Sequence, residues 1–258
     1  MNAISQPPVF APAAVRNAVE IEHVTKYFGK LKVLENISFN APAGSVLAIA
    51  GASGCGKSTL LNIIAGLVAA DQGTVRVDGA ACAPEHDTRV ISYMFQEDRL
   101  LPWRSILANI EFGLEAGTMS AALRRERARE ALRMTGLEAF ENAYPHELSG
   151  GMRSRVALAR SLVVKPYILL MDEPFSKLDP QMRSQMHREL LRLREQLRMT
   201  VVFVTHDVEE AIVLADKVVV LEPRPGRVRD VLPINLERPR DPLAQNVAET
   251  VRRVRALI

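Results

Sequence analysis

Two cysteines are all that 258 residues contain, and Cys55 and Cys82 form neither a disulfide framework nor a recognisable metal spacing. So little cysteine fits a reducing compartment. No uninterrupted apolar run approaches the roughly 18 residues that a bilayer-spanning helix needs. The amino terminus lacks the basic segment and apolar core of a secretory signal. Charge of one sign is missing too. Lys and Arg number 33 and Asp and Glu 30, a formal net charge of +3, so nucleic acid is not expected as a partner. The basic clusters at 124–133 and 183–198 are interspersed with Glu and read as helical surfaces. No internal repeat is visible. What is present is apolar residue, 48% of the chain, enough for a sizeable core in one large domain or a domain with an insertion. The expectation is a cytosolic protein that reaches a membrane only through a partner.

The most informative stretch is Gly51-Ala52-Ser53-Gly54-Cys55-Gly56-Lys57-Ser58-Thr59. An apolar run at 45–50 precedes it and reads as a buried strand. The run 59–65 comes after it and reads as a helix ended by Gly66. Strand, glycine loop, Lys-Ser-Thr and helix is the context that a phosphate-binding loop requires. Glycines let the backbone turn several N–H groups toward one anion. The helix start adds unpaired donors and partial positive charge. Lys57 brings a full charge for the β- and γ-phosphates, and the Ser58 hydroxyl suits magnesium, which prefers oxygen.

The rest of the chain alternates strands and helices. Strands are expected at 18–27, 37–40, 74–77, 90–95, 167–171, 201–205, 217–221 and 228–232, the last at an edge. Residues 42–44, 78–79 and 223–226 read as turns, each built on Gly or Pro. Helices are expected at 105–114, 121–135, 149–164, 180–198, 208–214 and 248–257. Residues 97–165 hold no convincing strand and read as a helical insertion. The alternation implies an α/β fold with a mainly parallel sheet. Residues 1–17, rich in Ala, Pro and Asn, read as a flexible tail.

An apolar strand ending in Asp172-Glu173 is the usual partner of a phosphate loop. Asp172 stands at a strand's carboxyl end, where α/β sheets place ligands, and can hold magnesium. Glu173 can polarise a water for attack on a γ-phosphate. Gln96 and His206 also come directly after strands and are candidates for magnesium or water and for the γ-phosphate. Each also has a plain structural reading: an acidic turn before Pro174, an amide in a loop, a histidine at a strand end. Leu148-Ser149-Gly150-Gly151-Met152 opens a helix with Ser149 as cap. Its glycines either bare the backbone to a second anion or make a loose helix start.

Together these pieces resemble the ATP-binding subunit of an ABC transporter, over about residues 18–240. The resemblance rests on the glycine loop at 51–59, Gln96, LSGGM at 148–152, ILLMDEP at 168–174, Ser176-Lys177-Leu178-Asp179 and Thr205-His206-Asp207. Finer stretches at 95–103, 171–179, 205–216 and 223–227 resemble bacterial importers of the nitrate, sulfonate and taurine group. The fold implied is that of P-loop, RecA-like NTPases: a mainly parallel sheet core at 18–96 and 166–235, an antiparallel β edge, a helical subdomain at 97–165, and a helical tail at 241–258. Two copies would face head to tail over two ATP molecules. One supplies Gly51, Ala52, Ser53, Gly54, Cys55, Gly56, Lys57, Ser58 and Thr59; the other supplies Ser149, Gly150 and Gly151. The resemblance assigns magnesium to Ser58, Gln96 and Asp172, and catalysis to Glu173, His206 and Lys57. It stacks adenine on Phe28, with Tyr27 as neighbour, and puts Asp179 at the dimer seam. The helical subdomain would pass closure of the dimer to a membrane permease served by a solute-binding protein. The chain would then be peripheral, at the cytoplasmic face of the inner membrane.

A soluble ABC ATPase of DNA repair or translation is the alternative, but long coiled-coil insertions and tandem motif sets are absent. A phosphate-loop GTPase would need an Asn-Lys-x-Asp motif, also absent. An ATP-binding scaffold without hydrolysis is opposed by Glu173 and His206. Two residues depart from the family pattern: Lys177 stands for a small residue and Ser154 for Gln. Cys55, at a helix start beside Lys57, is expected to have a lowered pKa and to be alkylated with loss of ATP binding.

Overall fold

Val46, Ala48 and Ala50 face one apolar core, and Leu47 and Ile49 face another. The strand they form is therefore covered on both sides, as a continuous apolar run demands. The computed structural model describes residues 16–81 and 91–258. Most of the expected amino-terminal tail, the strand start at Val90 and Cys82 lie outside those residues.

Ten strands and seven α-helices succeed one another among the described residues. The first hairpin is β1 (Asn17–Phe28) and β2 (Leu31–Pro42), then come β3 (Val46–Gly51) and α1 (Lys57–Ile64). A second hairpin joins β4 (Gln72–Val77) to β5 (Ala80–Ala81), and β6 (Ile91–Met94) leads to the helical block. That block holds α2 (Ile106–Glu111), α3 (Ala121–Met134) and α4 (Gly150–Leu162), with short 3-10 turns between them. The remainder is β7 (Ile168–Asp172), α5 (Pro180–Leu197), β8 (Thr200–Thr205), α6 (Val208–Leu214), β9 (Lys217–Glu222), β10 (Arg227–Pro233) and α7 (Gln245–Arg255).

The strands make two sheets. One is antiparallel in the order β2-β1-β4-β5; the other runs β10-β9-β3-β8-β7-β6 and is parallel except for β10. An α/β fold with a mainly parallel sheet, an antiparallel edge and a helical insertion is thus what the chain forms. Helix α1 packs between the sheets, with Leu60, Leu61 and Ile64 in the same core as Ile21, Ile37 and Leu170. Helices α5, α6 and α7 cover the opposite face of the large sheet. Helices α2, α3 and α4 bury a third core of their own around Ile106, Ile110, Leu132 and Val156.

Three expectations need correction. The second strand is twelve residues, not four. Asn36 takes φ 51 in its middle, and this irregularity breaks the alternation without ending the strand. Asn17, expected in the tail, belongs to β1 and pairs with Pro42. The last helix starts at Gln245 rather than at 248, and its Val247, Val251 and Val254 are buried in the main core. Elsewhere the elements fall where the pattern puts them. Asp78 and Gly79 both adopt positive φ, 52 and 79, as a tight two-residue hairpin turn requires.

The parallel register brings the strand ends level. Met94 lies beside Met171, Asp172 beside Val204, and Ala50 beside Thr205. The chain leaves β3, β6, β7 and β8 at one common edge. The turn before β10 closes that edge: Gly226 donates to Val33 O at 2.8 Å and accepts from Glu35 N at 2.9 Å. A Cβ on Gly226 would stand 2.2 Å from the carbonyl oxygen of Cys55. Gly226→Ala is therefore expected to destabilise the fold by about 1–3 kcal/mol in equilibrium urea unfolding; a change below about 0.5 kcal/mol would show that the turn yields.

Candidate nucleotide site

The loop between β3 and α1 is shaped by close contacts. A Cβ at Gly51 would lie 2.6 Å from Leu221 O, and one at Gly56 would lie 2.6 Å from a Leu34 methyl. Gly56 also caps α1 with φ 94, a left-handed backbone that side chains resist. The first-turn N–H groups of α1 have no partner within the helix. Lys57 is buried, and its ammonium donates to the carbonyls of Gly51 at 2.9 Å and Ala52 at 3.1 Å. An ammonium has three hydrogens, so one remains for an anion seated in the loop. Ser53, Gly54 and Ser58 line the loop as exposed residues.

Ser58 Oγ donates to Asp172 Oδ1 at 3.0 Å, joining α1 to the end of β7. Tyr93 in β6 reaches the other oxygen of Asp172 at 3.5 Å. Burial pushes the Asp172 carboxyl up, the hydrogen bond from Ser58 opposes this, and the neighbouring Glu173 adds to it. Tyr93, half-buried and beside Asp172, is held well above the usual phenol range by desolvation and by that carboxylate. Glu173 has φ 42, and its N–H donates to Val204 O at 3.0 Å. That left-handed step turns its carboxylate away from Asp172 and toward two other strand ends. Gln96 Nε2 donates to Glu173 Oε2 at 3.2 Å, and His206 Nδ1 lies 3.2 Å from Glu173 Oε1. The amide of Gln96 and the imidazole of His206 thus flank the Glu173 carboxylate, one at each oxygen.

The fold thus brings Lys57, Ser58, Asp172, Glu173, Gln96 and His206 together. It does not join Ser149, Gly150 or Gly151 to them by any hydrogen bond, ion pair or ring contact among the described residues. Ser149 caps α4, accepting from Met152 N at 3.3 Å, and Gly150 is exposed. Gly151 presses on α5: a Cβ there would meet Met182 at 2.8 Å. Asp179 caps α5 through Met182 N at 3.0 Å and is exposed. Phe28 is 52% exposed at the tip of the first hairpin, with the Lys26 ammonium 5.5 Å from its ring centre. Lys177 pairs with Glu97 at 3.9 Å, and both are exposed. Ser154 Oγ donates to its own helix at Gly150 O.

One expectation fails. Burial pushes the Cys55 thiol up, and the nearby Lys57 only partly offsets this. Its sulfur faces Gly51 inside the core, so a position at a helix start is outweighed by desolvation. Two residues of the site carry no motif of their own. Tyr93 offers only a faint signal, a polar aromatic in a strand paired with β7. Arg183 stands four residues after Asp179 on the first turn of α5, inside a run of charge that reads as helical surface.

A family model described as ABC transporter matches residues 34–176. A taurine import ATP-binding protein, TauB, of Escherichia coli O157:H7 is 41% identical over 220 residues, covering 85% of this chain and 86% of that protein. An aliphatic sulfonates import ATP-binding protein, SsuB, of Bacillus cereus (strain ATCC 10987 / NRS 248) is 39% identical over 240 residues, covering 92% of this chain and 94% of that protein. Among solved structures, the dimeric ATP-binding cassette MJ0796 with ADP and Pi superposes with a TM-score of 0.74 at 34% identity, covering 85% of this chain and 100% of that one.

The electrostatics of Asp172 and Cys55 can each be checked. A carboxyl with a higher pKa folded than unfolded holds its proton more tightly in the fold, so its contribution to stability falls as pH rises through that interval and stays low above it. Asp172→Asn keeps an acceptor for Ser58 and is expected to raise the melting temperature at neutral pH, with the gain shrinking as pH drops toward the ordinary carboxylate pKa of about 4. A gain independent of pH would contradict the assignment. For Cys55, peptide-level mass spectrometry is expected to find slow alkylation in the native protein and rapid alkylation in urea.

Proposed function

The chain belongs to the ABC transporter family of ATP-binding subunits, and on that premise we propose that it hydrolyses ATP to drive an importer of a small solute bearing a sulfonate group, such as an aliphatic sulfonate or taurine. The names of the relatives support the solute class. The observation that carries the ATPase reading is the convergence of Gln96 and His206 on one carboxylate, Glu173, beside the Ser58–Asp172 hydrogen bond.

Each side chain then has a task. The loop amides at 52–59 and the third hydrogen of Lys57 bind the β- and γ-phosphates. Ser58 and Asp172 offer oxygens to magnesium, with Gln96 within the same cluster. Among the described residues no group of three or more His, Cys, Asp or Glu could cage a metal alone, which suits magnesium, an ion that takes its remaining ligands from phosphate and water. When bound, the ion neutralises charge on the transferring phosphoryl group. Glu173 accepts the proton of the attacking water, its carboxylate aimed by the amide of Gln96 and by His206. The His206 imidazole contacts the γ-phosphate as an N–H donor. The exposed ring of Phe28 stacks on adenine.

Ser149, Gly150 and Gly151 stand apart from this cluster and present a capped helix start to the outside. They complete the pocket of a second copy, with Asp179 at the seam, as a head-to-tail dimer requires. No helix of the described residues is long and apolar enough to cross a membrane. Coupling to transport therefore runs through permease subunits, which a solute-binding protein supplies, with this chain at the cytoplasmic face.

Glu173→Gln is expected to lower steady-state ATP hydrolysis by at least about a hundredfold, with nucleotide affinity within about threefold of the parent. The same variant should form an ATP-dependent dimer in gel filtration. Hydrolysis near the parent rate would remove Glu173 from its role.

A further inference from the structure

Arg183 lies outside every motif that defines the site, yet it joins two of them. Its Nη1 donates to Asp207 Oδ2 at 2.9 Å, and its Nη2 donates to Leu178 O at 3.3 Å. Leu178 precedes Asp179, the residue assigned to the dimer seam. Asp207 comes next after His206, the residue that touches Glu173. One planar guanidinium therefore spans the loop that would face a second copy and the loop that holds the catalytic histidine. A fork of this kind fixes both distance and orientation.

Asp207 is fully engaged. Its Oδ1 accepts from the N–H groups of Glu209 at 2.9 Å and Glu210 at 3.4 Å, capping α6, while Oδ2 takes Arg183. The His206 backbone is thus held between Thr205, buried at the end of β8, and an aspartate anchored on both oxygens. Arg183, Glu173 and His206 also share the wall of one small cavity of about 40 Å³. The Nε of Arg183 is buried and has no hydrogen-bond partner among the described residues, so the polar contacts of this side chain there are the two made by its Nη atoms.

We propose that Arg183 is a positioning residue for hydrolysis: by tying Leu178 O to Asp207 it sets His206 against Glu173, and it passes the position of the 176–179 loop to the catalytic pair. This rests on the ATPase reading above. Two loops held by one side chain move together, so docking of a second copy on Asp179 would be felt at His206.

The test uses the full chain with ATP and magnesium. Arg183→Leu is expected to lower kcat by about tenfold to a hundredfold, while nucleotide affinity changes less than about threefold. Arg183→Lys, which can reach Asp207 but cannot span to Leu178, should recover only part of the loss. Because Arg183 acts through Asp207, Arg183→Leu should cost less than about twofold when added to Asp207→Asn. A kcat within about twofold of the parent for Arg183→Leu, or full additivity with Asp207→Asn, would overturn the proposal. If Arg183→Leu does not fold, the lysine variant decides: full parental kcat rejects the spanning role. A parent chain that neither binds nor hydrolyses ATP rejects the ATPase reading itself, a result distinct from an active parent with an equally active Arg183→Leu.

Discussion

Everything at the site depends on strands running the same way in matched register. A parallel sheet delivers the carboxyl ends of its strands to one edge, and side chains there need no further machinery to meet. Ala50 aligned with Thr205 and Asp172 aligned with Val204 put the glycine loop, the acidic pair and the histidine within hydrogen-bonding distance. The partners are far apart in sequence, 114 positions in the case of Ser58 and Asp172. The apolar strands behind them, buried on both faces, keep that register from slipping, because a one-residue shift would turn each strand's side chains over.

The chemistry of the edge is governed by two adjacent carboxylates with different surroundings. Asp172 is partly desolvated and braced by a serine and a tyrosine hydroxyl; Glu173 is turned aside by its left-handed backbone and meets an amide and an imidazole. Neighbouring acids with distinct partners can divide labour, one for a cation and one for a proton. Each local distortion, at Gly56 and at Glu173, lies where the chain must change direction to present a polar group.

The site is largely legible in the sequence because its parts are local. A glycine loop, an acid after an apolar strand and a histidine after another announce themselves in short windows, and the parallel fold supplies the rest. What the sequence hides depends on partners distant in the chain. Tyr93 matters only because β6 lies beside β7. Arg183 matters only because α5 starts next to the 205–207 turn. Cys55 misleads for the same reason: a helix start is visible in sequence, whereas the packing of its thiol against Gly51 is not. The length of β2 is hidden because Asn36 interrupts an alternation that the pairing with β1 nonetheless continues.

The antiparallel strand β10 ends the large sheet with Arg227, Arg229, Asp230 and Pro233 along seven residues, and its pairing slips between Val228 and Asp230. Charge, an interrupted ladder and a residue lacking an N–H make a poor template for another strand. Fibre-like growth along this rim is accordingly disfavoured even at high protein concentration. The ladder of the large sheet is thereby closed on this side by the chain's own last strand.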